Sequence, residues 1–130
     1  MQGDAIITLF HMNGCGHCVA FAEEWAALER TIATNKTQHG GFSFSTKSYE
    51  ASELGLLDDK EKSINGEEIN GFPTVRIRLA RSKAGNIKGA GKNKHHKKEP
   101  YVEFMYEGKR QANEIIAVTK SLINKHGANL

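Results

Sequence analysis

The chain has 130 residues, of which 38% are hydrophobic and 25% are charged, and its formal net charge is +3. These proportions are typical of one globular domain, and they exclude collagen-like, disulfide-rich and intrinsically disordered proteins. The longest apolar run, residues 5–10, is too short to cross a bilayer, so no membrane association is expected. Residues 1–4 lack the basic start of a secretory signal, and no retention signal ends the chain, so a cytoplasmic location is the default prediction.

The charge is distributed unevenly along the chain. Residues 1–75 carry 5 basic and 11 acidic side chains, whereas residues 76–98 carry 9 basic and no acidic ones. Residues 80–100 are rich in glycine and lysine without apolar periodicity, which predicts a solvated hairpin insertion. A second hypothesis is that the stretch from Arg81 to Lys98 contacts an anionic partner such as nucleic acid. Because the stretch lacks aromatic side chains, such binding would be non-specific and sensitive to salt.

The first half of the chain alternates between predicted strands and helices. Residues 5–10 are continuously apolar and predict a strand that is buried on both faces. Apolar side chains recur at helical spacing over residues 15–33, which predicts the main helix. A loop over residues 38–41 leads to a second strand at 42–45, and residues 51–58 predict a short helix.

The second half predicts two more strands and a closing helix. Residues 75–79 alternate strictly, which predicts a strand with Arg76 and Arg78 exposed on one face. Residues 101–106 form the fourth strand, and an amphipathic helix begins at residue 112. The order predicts a single α/β domain over residues 1–130, with a four-stranded mixed sheet flanked by helices. The first two strands are expected to be parallel neighbours, and the last two an antiparallel pair.

The chain's two cysteines, Cys15 and Cys18, stand at the start of the main helix. Free backbone N–H groups and the helix dipole at this position stabilise a thiolate, and a protonated His17 would add positive charge. Cys15 is expected to be exposed and reactive, whereas Cys18 shares the apolar stripe of Phe21 and Trp25 and is expected to be buried and less acidic. This asymmetry suits a dithiol in which Cys15 attacks a disulfide and Cys18 resolves the mixed disulfide.

The tetrapeptide Cys15-Gly16-His17-Cys18 resembles the active site of protein disulfide isomerase domains, within the thioredoxin superfamily. The resemblance covers most of the chain and implies a thioredoxin-like fold that is trimmed at its N-terminus. It implies that Cys15 is the nucleophile and Cys18 the resolving thiol, with Gly16 and His17 completing the catalytic motif.

Two further segments resemble the same family. The loop around Phe72, Pro73 and Thr74 is similar to the family's cis-proline loop, which implies that these residues face the cysteines and bind an extended substrate. Arg110 matches a family arginine that approaches the active site and assists the resolving cysteine. The competing interpretation of Arg110 is a solvated turn charge. The family's buried acid, six residues before the first cysteine, is replaced here by Leu9, which removes that route for the proton of the resolving thiol.

The leading hypothesis is a thiol–disulfide oxidoreductase of the oxidase or isomerase type, with no cofactor beyond the redox-active disulfide Cys15–Cys18. Its expected partners are cysteine-containing client proteins and an upstream thiol oxidant or reductant. Because large DNA viruses build disulfides in the cytoplasm, a viral source and a virion-associated location form a further hypothesis. The oligomeric state is left open.

Three alternatives compete with this hypothesis. One is a redox-inactive module that holds clients in the groove beside Pro73, and another is an adaptor that uses the basic stretch. The third is a zinc site that pairs the two cysteines with His95 and His96, which is disfavoured because no second Cys-x-x-Cys is present. His11, His39 and His126 have no spacing that indicates a site.

Overall fold

The computed structural model describes residues 2–81 and 101–130. Nearly all of the predicted insertion at residues 80–100 lies outside these ranges, as do His95 and His96. Within the two ranges, no helix combines the length and the apolar character needed to span a membrane.

Two long helices and seven strands form the described part of the chain. Short 3₁₀ turns follow β3 at Ala51–Leu56 and the last helix at Gly127–Asn129. The strands and helices in chain order are β1 (Gly3–His11), α1 (Gly16–Asn35), β2 (Gln38–His39), β3 (Phe42–Glu50), β4 (Ser63–Ile64), β5 (Glu67–Glu68), β6 (Thr74–Arg81), β7 (Tyr101–Met105) and α2 (Ala112–His126).

The main sheet is mixed and has five strands in the order β2-β3-β1-β6-β7. The predicted α/β class is confirmed, with β1 parallel to β3 and β6 antiparallel to β7. The predicted number of four strands is wrong, because residues 38–39 form a strand instead of a loop. They pair with the start of β3 through a turn in which Gly40 and Gly41 adopt φ values of 58° and 85°. Glycine adopts such positive φ angles without steric cost.

One face of the sheet packs against both helices and forms the core. The alternation of β1 directs Ala5, Ile7 and Leu9 toward this face, and Ile77 of β6 joins them. The apolar stripe of α1 packs on the same face, as the helical spacing predicted. The buried residues of that stripe are Phe21, Trp25, Leu28 and Ile32. The next residue on this face of β1, after Leu9, is His11 at the strand's end, beside the start of α1.

The opposite face of the sheet carries a buried layer of charges. The prediction that Arg76 and Arg78 are exposed is wrong, because the side chain of Arg76 is 0% exposed and that of Arg78 is 12% exposed. Arg78 Nε donates to Glu103 Oε1 at 2.9 Å, and Arg76 Nη2 lies 3.3 Å from Glu61 Oε2. Arg76 Nη1 also donates to the backbone oxygens of Glu61 and Ser63, at 2.8 and 3.0 Å. We call Glu61, Arg76, Arg78 and Glu103 the charged layer.

A small hairpin formed by β4 and β5 covers part of the charged layer. Its turn consists of Asn65 and Gly66, with φ values of 52° and 86°, and an Asn-Gly pair is favoured in two-residue hairpin turns. The backbone N–H of Asn65 donates to Glu103 Oε2 at 2.8 Å, which anchors the turn to β7.

Candidate dithiol site

A tight turn between β1 and α1 positions the first cysteine. Gly14 has a φ of 83°, a conformation that glycine adopts readily. Cys15 then takes the extended backbone of an N-cap residue, and its N–H donates to the Met12 carbonyl oxygen at 3.2 Å. The helix begins at Gly16, so both cysteines lie in or beside its first turn.

The sulfur of Cys15 caps the helix as a side-chain acceptor. The backbone N–H of Cys18 donates to Cys15 Sγ at 3.2 Å. A hydrogen bond from the Cys18 thiol lowers the pKa of Cys15 most strongly, and burial opposes it. The backbone N–H groups of Cys18 and His17 and the charge of Arg110 lower the pKa further, so the net shift is downward. The pKa of Cys15 therefore lies below the ordinary thiol value, which favours the thiolate.

The second thiol is perturbed in the opposite direction. Burial raises the pKa of Cys18, and its hydrogen bond with the Cys15 thiol raises it further. Both thiols are free and both are half-buried. The predicted contrast of an exposed Cys15 and a buried Cys18 is therefore absent, and the asymmetry between the thiols resides in their pKa values.

The two residues between the cysteines are exposed. His17 acts on Cys15 through its backbone N–H, whose hydrogen bond to the sulfur lowers the pKa of the thiol. A Cβ atom at Gly16 would meet no atom of the described residues within 4 Å, so close packing does not account for glycine there.

The loop before β6 lies beside the dithiol. Cys15 Sγ is 3.7 Å from the carbonyl oxygen of Phe72, 57 residues away along the chain. The Phe72–Pro73 peptide bond is cis. The Thr74 hydroxyl donates to the Gly71 carbonyl oxygen at 2.7 Å and braces the loop. The three residues predicted to bind substrate, Phe72, Pro73 and Thr74, are half-buried.

Arg110 lies on the segment between β7 and α2, and it is exposed. Its charge lowers the pKa of both thiols. The end of this segment is fixed by α1, because Glu24 Oε1 accepts the N–H of Ala112 at 2.7 Å and caps α2. The structure thus places Arg110 at the same end of the sheet as the two cysteines.

Glu50, at the end of β3, also supports the site. One oxygen of its carboxylate accepts the N–H of Asn13 at 2.9 Å, and the other accepts the N–H of Ser52 at 2.8 Å. Hydrogen bonds from the Ser52 hydroxyl and from the Asn13 and Ser52 N–H groups lower the pKa of Glu50 to about 2. The sequence signal for this role is the spacing of Glu50 and Glu53, which form a reciprocal capping box.

In the part of the chain that the structure describes, no group of three or more histidine, cysteine or acidic side chains is arranged to hold a metal ion.

Comparison with known proteins finds no matching family model and no matching curated protein sequence. Solved structures do match. The Trx4 domain of ERdj5 is 16% identical with a TM-score of 0.57, over 94% of this chain and 82% of that chain. The first thioredoxin domain of mouse protein disulfide-isomerase A4 is 23% identical with a TM-score of 0.52, over 92% of this chain and 63% of that chain. The first two thioredoxin domains of Naumovozyma dairenensis Eps1p are 18% identical with a TM-score of 0.55, over 92% of this chain and 35% of that chain.

These matches show that the chain has the thioredoxin fold, as its motifs predicted. The matched part corresponds to less than two thirds of the second and third structures. The likeness to a thioredoxin domain of a disulfide isomerase is confirmed in fold. The hypothesis of a viral source gains no support from these comparisons.

Proposed function

We propose that this thioredoxin-fold domain is a thiol–disulfide oxidoreductase that exchanges disulfides with cysteines of client proteins. The observation that carries the proposal is the opposite perturbation of two adjacent thiols: the pKa of Cys15 is lowered and that of Cys18 is raised. A thiolate is the attacking form in disulfide exchange, whereas a protonated thiol does not compete for the same substrate.

The exchange proceeds in two balanced steps. The Cys15 thiolate attacks a client disulfide, forms a mixed disulfide, and releases the client's second sulfur as a thiolate. Cys18 then loses its proton and attacks Cys15 Sγ, which forms the Cys15–Cys18 disulfide and releases the first client sulfur. The client disulfide is reduced and the pair is oxidised, and the reverse sequence oxidises a client dithiol.

The loop before β6 would hold the client beside the sulfur. The Phe72 carbonyl oxygen is close to Cys15 Sγ, so a client segment that reaches this sulfur would run along Phe72, Pro73 and Thr74. Arg110 would act at the sulfurs through its positive charge, which favours the thiolate form of both.

The direction of the reaction is proposed to be oxidising or isomerising. Stabilisation of the reduced thiolate makes the corresponding disulfide a stronger oxidant. Turnover then needs an upstream thiol oxidant, or a reductant for the reverse direction. The cytoplasmic location and a contact of residues 81–98 with an anionic partner remain proposals that the sequence alone supports.

Trapping of mixed disulfides tests the proposal on the full chain. Cys18→Ser leaves Cys15 able to attack but unable to escape, so mixed disulfides with a disulfide-containing client should accumulate on non-reducing gels. Cys15→Ser is the matched control and should trap at least tenfold less, because the pKa of the remaining thiol is raised.

The opposite trapping pattern would show that the two roles are reversed. The absence of trapping by both variants, together with undiminished binding of an unfolded client, would instead identify the redox-inactive binding module. Alkylation of wild-type Cys15 should have a midpoint below the ordinary thiol pKa, and a midpoint at or above that value would contradict the proposed nucleophile.

A further inference from the structure

The second step of the proposed reaction requires a group that accepts the proton of Cys18. Burial raises the pKa of Cys18 and so favours its protonated form, and a thiol must lose its proton before it attacks a disulfide. Leu9, a core residue near the end of β1, offers no titratable atom.

A cavity of about 340 Å³ adjoins Cys18 between α1 and the end of β1. Leu9, His11 and Trp25 are among its lining residues, together with Cys18 itself. Trp25 is 5% exposed, and its indole Nε1 has no hydrogen-bond partner in the described residues. The cavity is large enough to hold water molecules, and ordered water commonly satisfies buried donors that lack a protein partner.

The imidazole of His11 lines the same cavity as Cys18. His11 is half-buried and follows Leu9 on the face of β1 that packs against α1. Across the sheet it is paired with Glu50 of β3, whose carboxylate is also held by the Asn13 N–H. The positive charge of His11 is one of the causes that lower the pKa of Glu50, so the two side chains interact.

We propose that His11 accepts the proton of Cys18 during resolution of the mixed disulfide and returns it when the disulfide is reduced. The inference rests on the proposed oxidoreductase function. An imidazole is the side chain whose unperturbed titration lies closest to neutral pH, and it therefore gains and loses protons under working conditions.

The proton and electron balance is simple in both directions. In resolution, the Cys18 proton passes through cavity water to the His11 imidazole, the Cys18 thiolate bonds to Cys15 Sγ, and the client sulfur leaves with the electron pair of the broken bond. In the reverse direction a client thiolate attacks Cys15 Sγ, the Cys18 sulfur leaves as a thiolate, and the imidazolium returns the proton.

Other charged groups contribute to the pH dependence of this step. Glu50 faces His11 from β3, and Glu29 of α1 also lines the cavity. Arg110 and the Cys15 sulfur both act on Cys18, in opposite directions. Among the described residues that line the cavity with Cys18, only His11 carries an imidazole, the side chain most often used as a general base.

Reaction of the reduced chain with Ellman's reagent separates the two thiols in time. A first release of thionitrobenzoate reports attack by Cys15, and a second release reports displacement by Cys18. His11→Gln and His11→Ala should slow the second release roughly tenfold or more at about pH 7 and leave the first within about twofold. His39→Asn is the matched control, because His39 bonds to Asn124 at the other end of the sheet and should alter neither phase.

Added imidazole should accelerate the second phase of His11→Ala and have little effect on the wild type. A second phase whose rate and pH profile are unchanged in both His11 variants would overturn the inference. A second phase that is slow and is not accelerated by imidazole would also overturn it, provided that the unfolding midpoint of the variant equals that of the wild type. Failure of the proposed function is a different result, in which wild-type Cys15 gives no fast first phase.

Discussion

At the scale of single residues, the sulfur of Cys15 occupies the position of an N-cap oxygen. Serine, aspartate and asparagine usually supply the acceptor at this position. Here Cys15 Sγ accepts the N–H of Cys18, so the same bond closes the helix start and stabilises the nucleophile. The reactive form of the sulfur is therefore also the better helix cap.

The N–H of His17 provides a test of this arrangement. His17→Pro removes that N–H at a first-turn position where proline is tolerated, and the pKa of Cys15 should rise. The reduction potential should then move from about −180 mV toward about −270 mV, the isomerase and thioredoxin values.

His17→Ala is the control, because it keeps the N–H and removes only the imidazole. Both potentials are measured by equilibration with glutathione. An equal change in both variants would show that the imidazole, and not the backbone N–H, sets the potential. A wild-type value below about −250 mV would contradict the isomerase-like assignment.

The sequence predicted the dithiol more accurately than the charged layer. A Cys-x-x-Cys between a strand and a helix has few chemical interpretations, and the opposite pKa directions of the two thiols follow from it. Arg76 and Arg78 alternate with apolar residues, a pattern typical of a strand with one solvated face. Their burial depends on Glu61 and Glu103, which are distant along the chain, and local periodicity contains no information on that pairing.

At the scale of elements, long periodic segments were predicted well and two-residue strands were missed. α1 and α2 each repeat their apolar spacing over several turns. The strands at residues 38–39, 63–64 and 67–68 are too short to show an alternation, so their pairing follows from the turns between them. The cavity beside Cys18 was likewise absent from the sequence prediction, because it arises from the packing of α1 against β1.

The C-terminal end of α1 offers a test of element stability. Lys36 caps this end with a left-handed backbone, φ 48° and ψ 53°, and its N–H donates to the Ile32 carbonyl oxygen. Lys36→Gly should increase the free energy of unfolding by about 1 kcal/mol, since glycine adopts this conformation without a Cβ clash. Ala33→Gly, at an exposed position within the same helix, is the control and should decrease it by about 1 kcal/mol. Urea denaturation measures both, and a loss of stability in Lys36→Gly would contradict the assigned cap.

At the scale of the whole molecule, the two faces of the sheet are stabilised by different kinds of interaction. The helical face buries apolar side chains, whereas the other face buries the charged layer. Burial raises the pKa of Glu61, but hydrogen bonds from Tyr49 and Lys47 and the charge of Arg76 outweigh it, so the net shift is downward. A carboxylate with a lowered pKa contributes stability above its ordinary pKa, and this contribution disappears as the pH falls through the lowered value.

Acid denaturation should therefore begin in the charged layer. Glu61→Gln should decrease the free energy of unfolding at neutral pH by about 3 kcal/mol, because it removes the charge of the nearer of the two carboxylates that pair with the buried Arg76. It should also make the free energy of unfolding depend less on pH below neutral pH. Glu50 still contributes to that dependence. Urea denaturation from about pH 3 to about pH 7 measures both effects. Glu67→Gln, on the exposed β5 strand, is the control, and an acid profile that Glu61→Gln leaves unchanged would contradict the role of the layer.

The cap formed by Cys15 couples the oxidation state of the protein to its folding. When Cys15 Sγ is bonded to Cys18 Sγ it carries no negative charge, so α1 loses part of its N-terminal cap, while the small ring that the disulfide closes constrains the unfolded chain only weakly. Folding and oxidation form a closed thermodynamic cycle. If the free energy of unfolding is larger for the dithiol form than for the disulfide form, the folded pair is a stronger oxidant than the same cysteines in an unfolded chain, by that same free energy. The domain is then most stably folded after it has transferred its disulfide to a client, and folding free energy of its central helix drives the transfer.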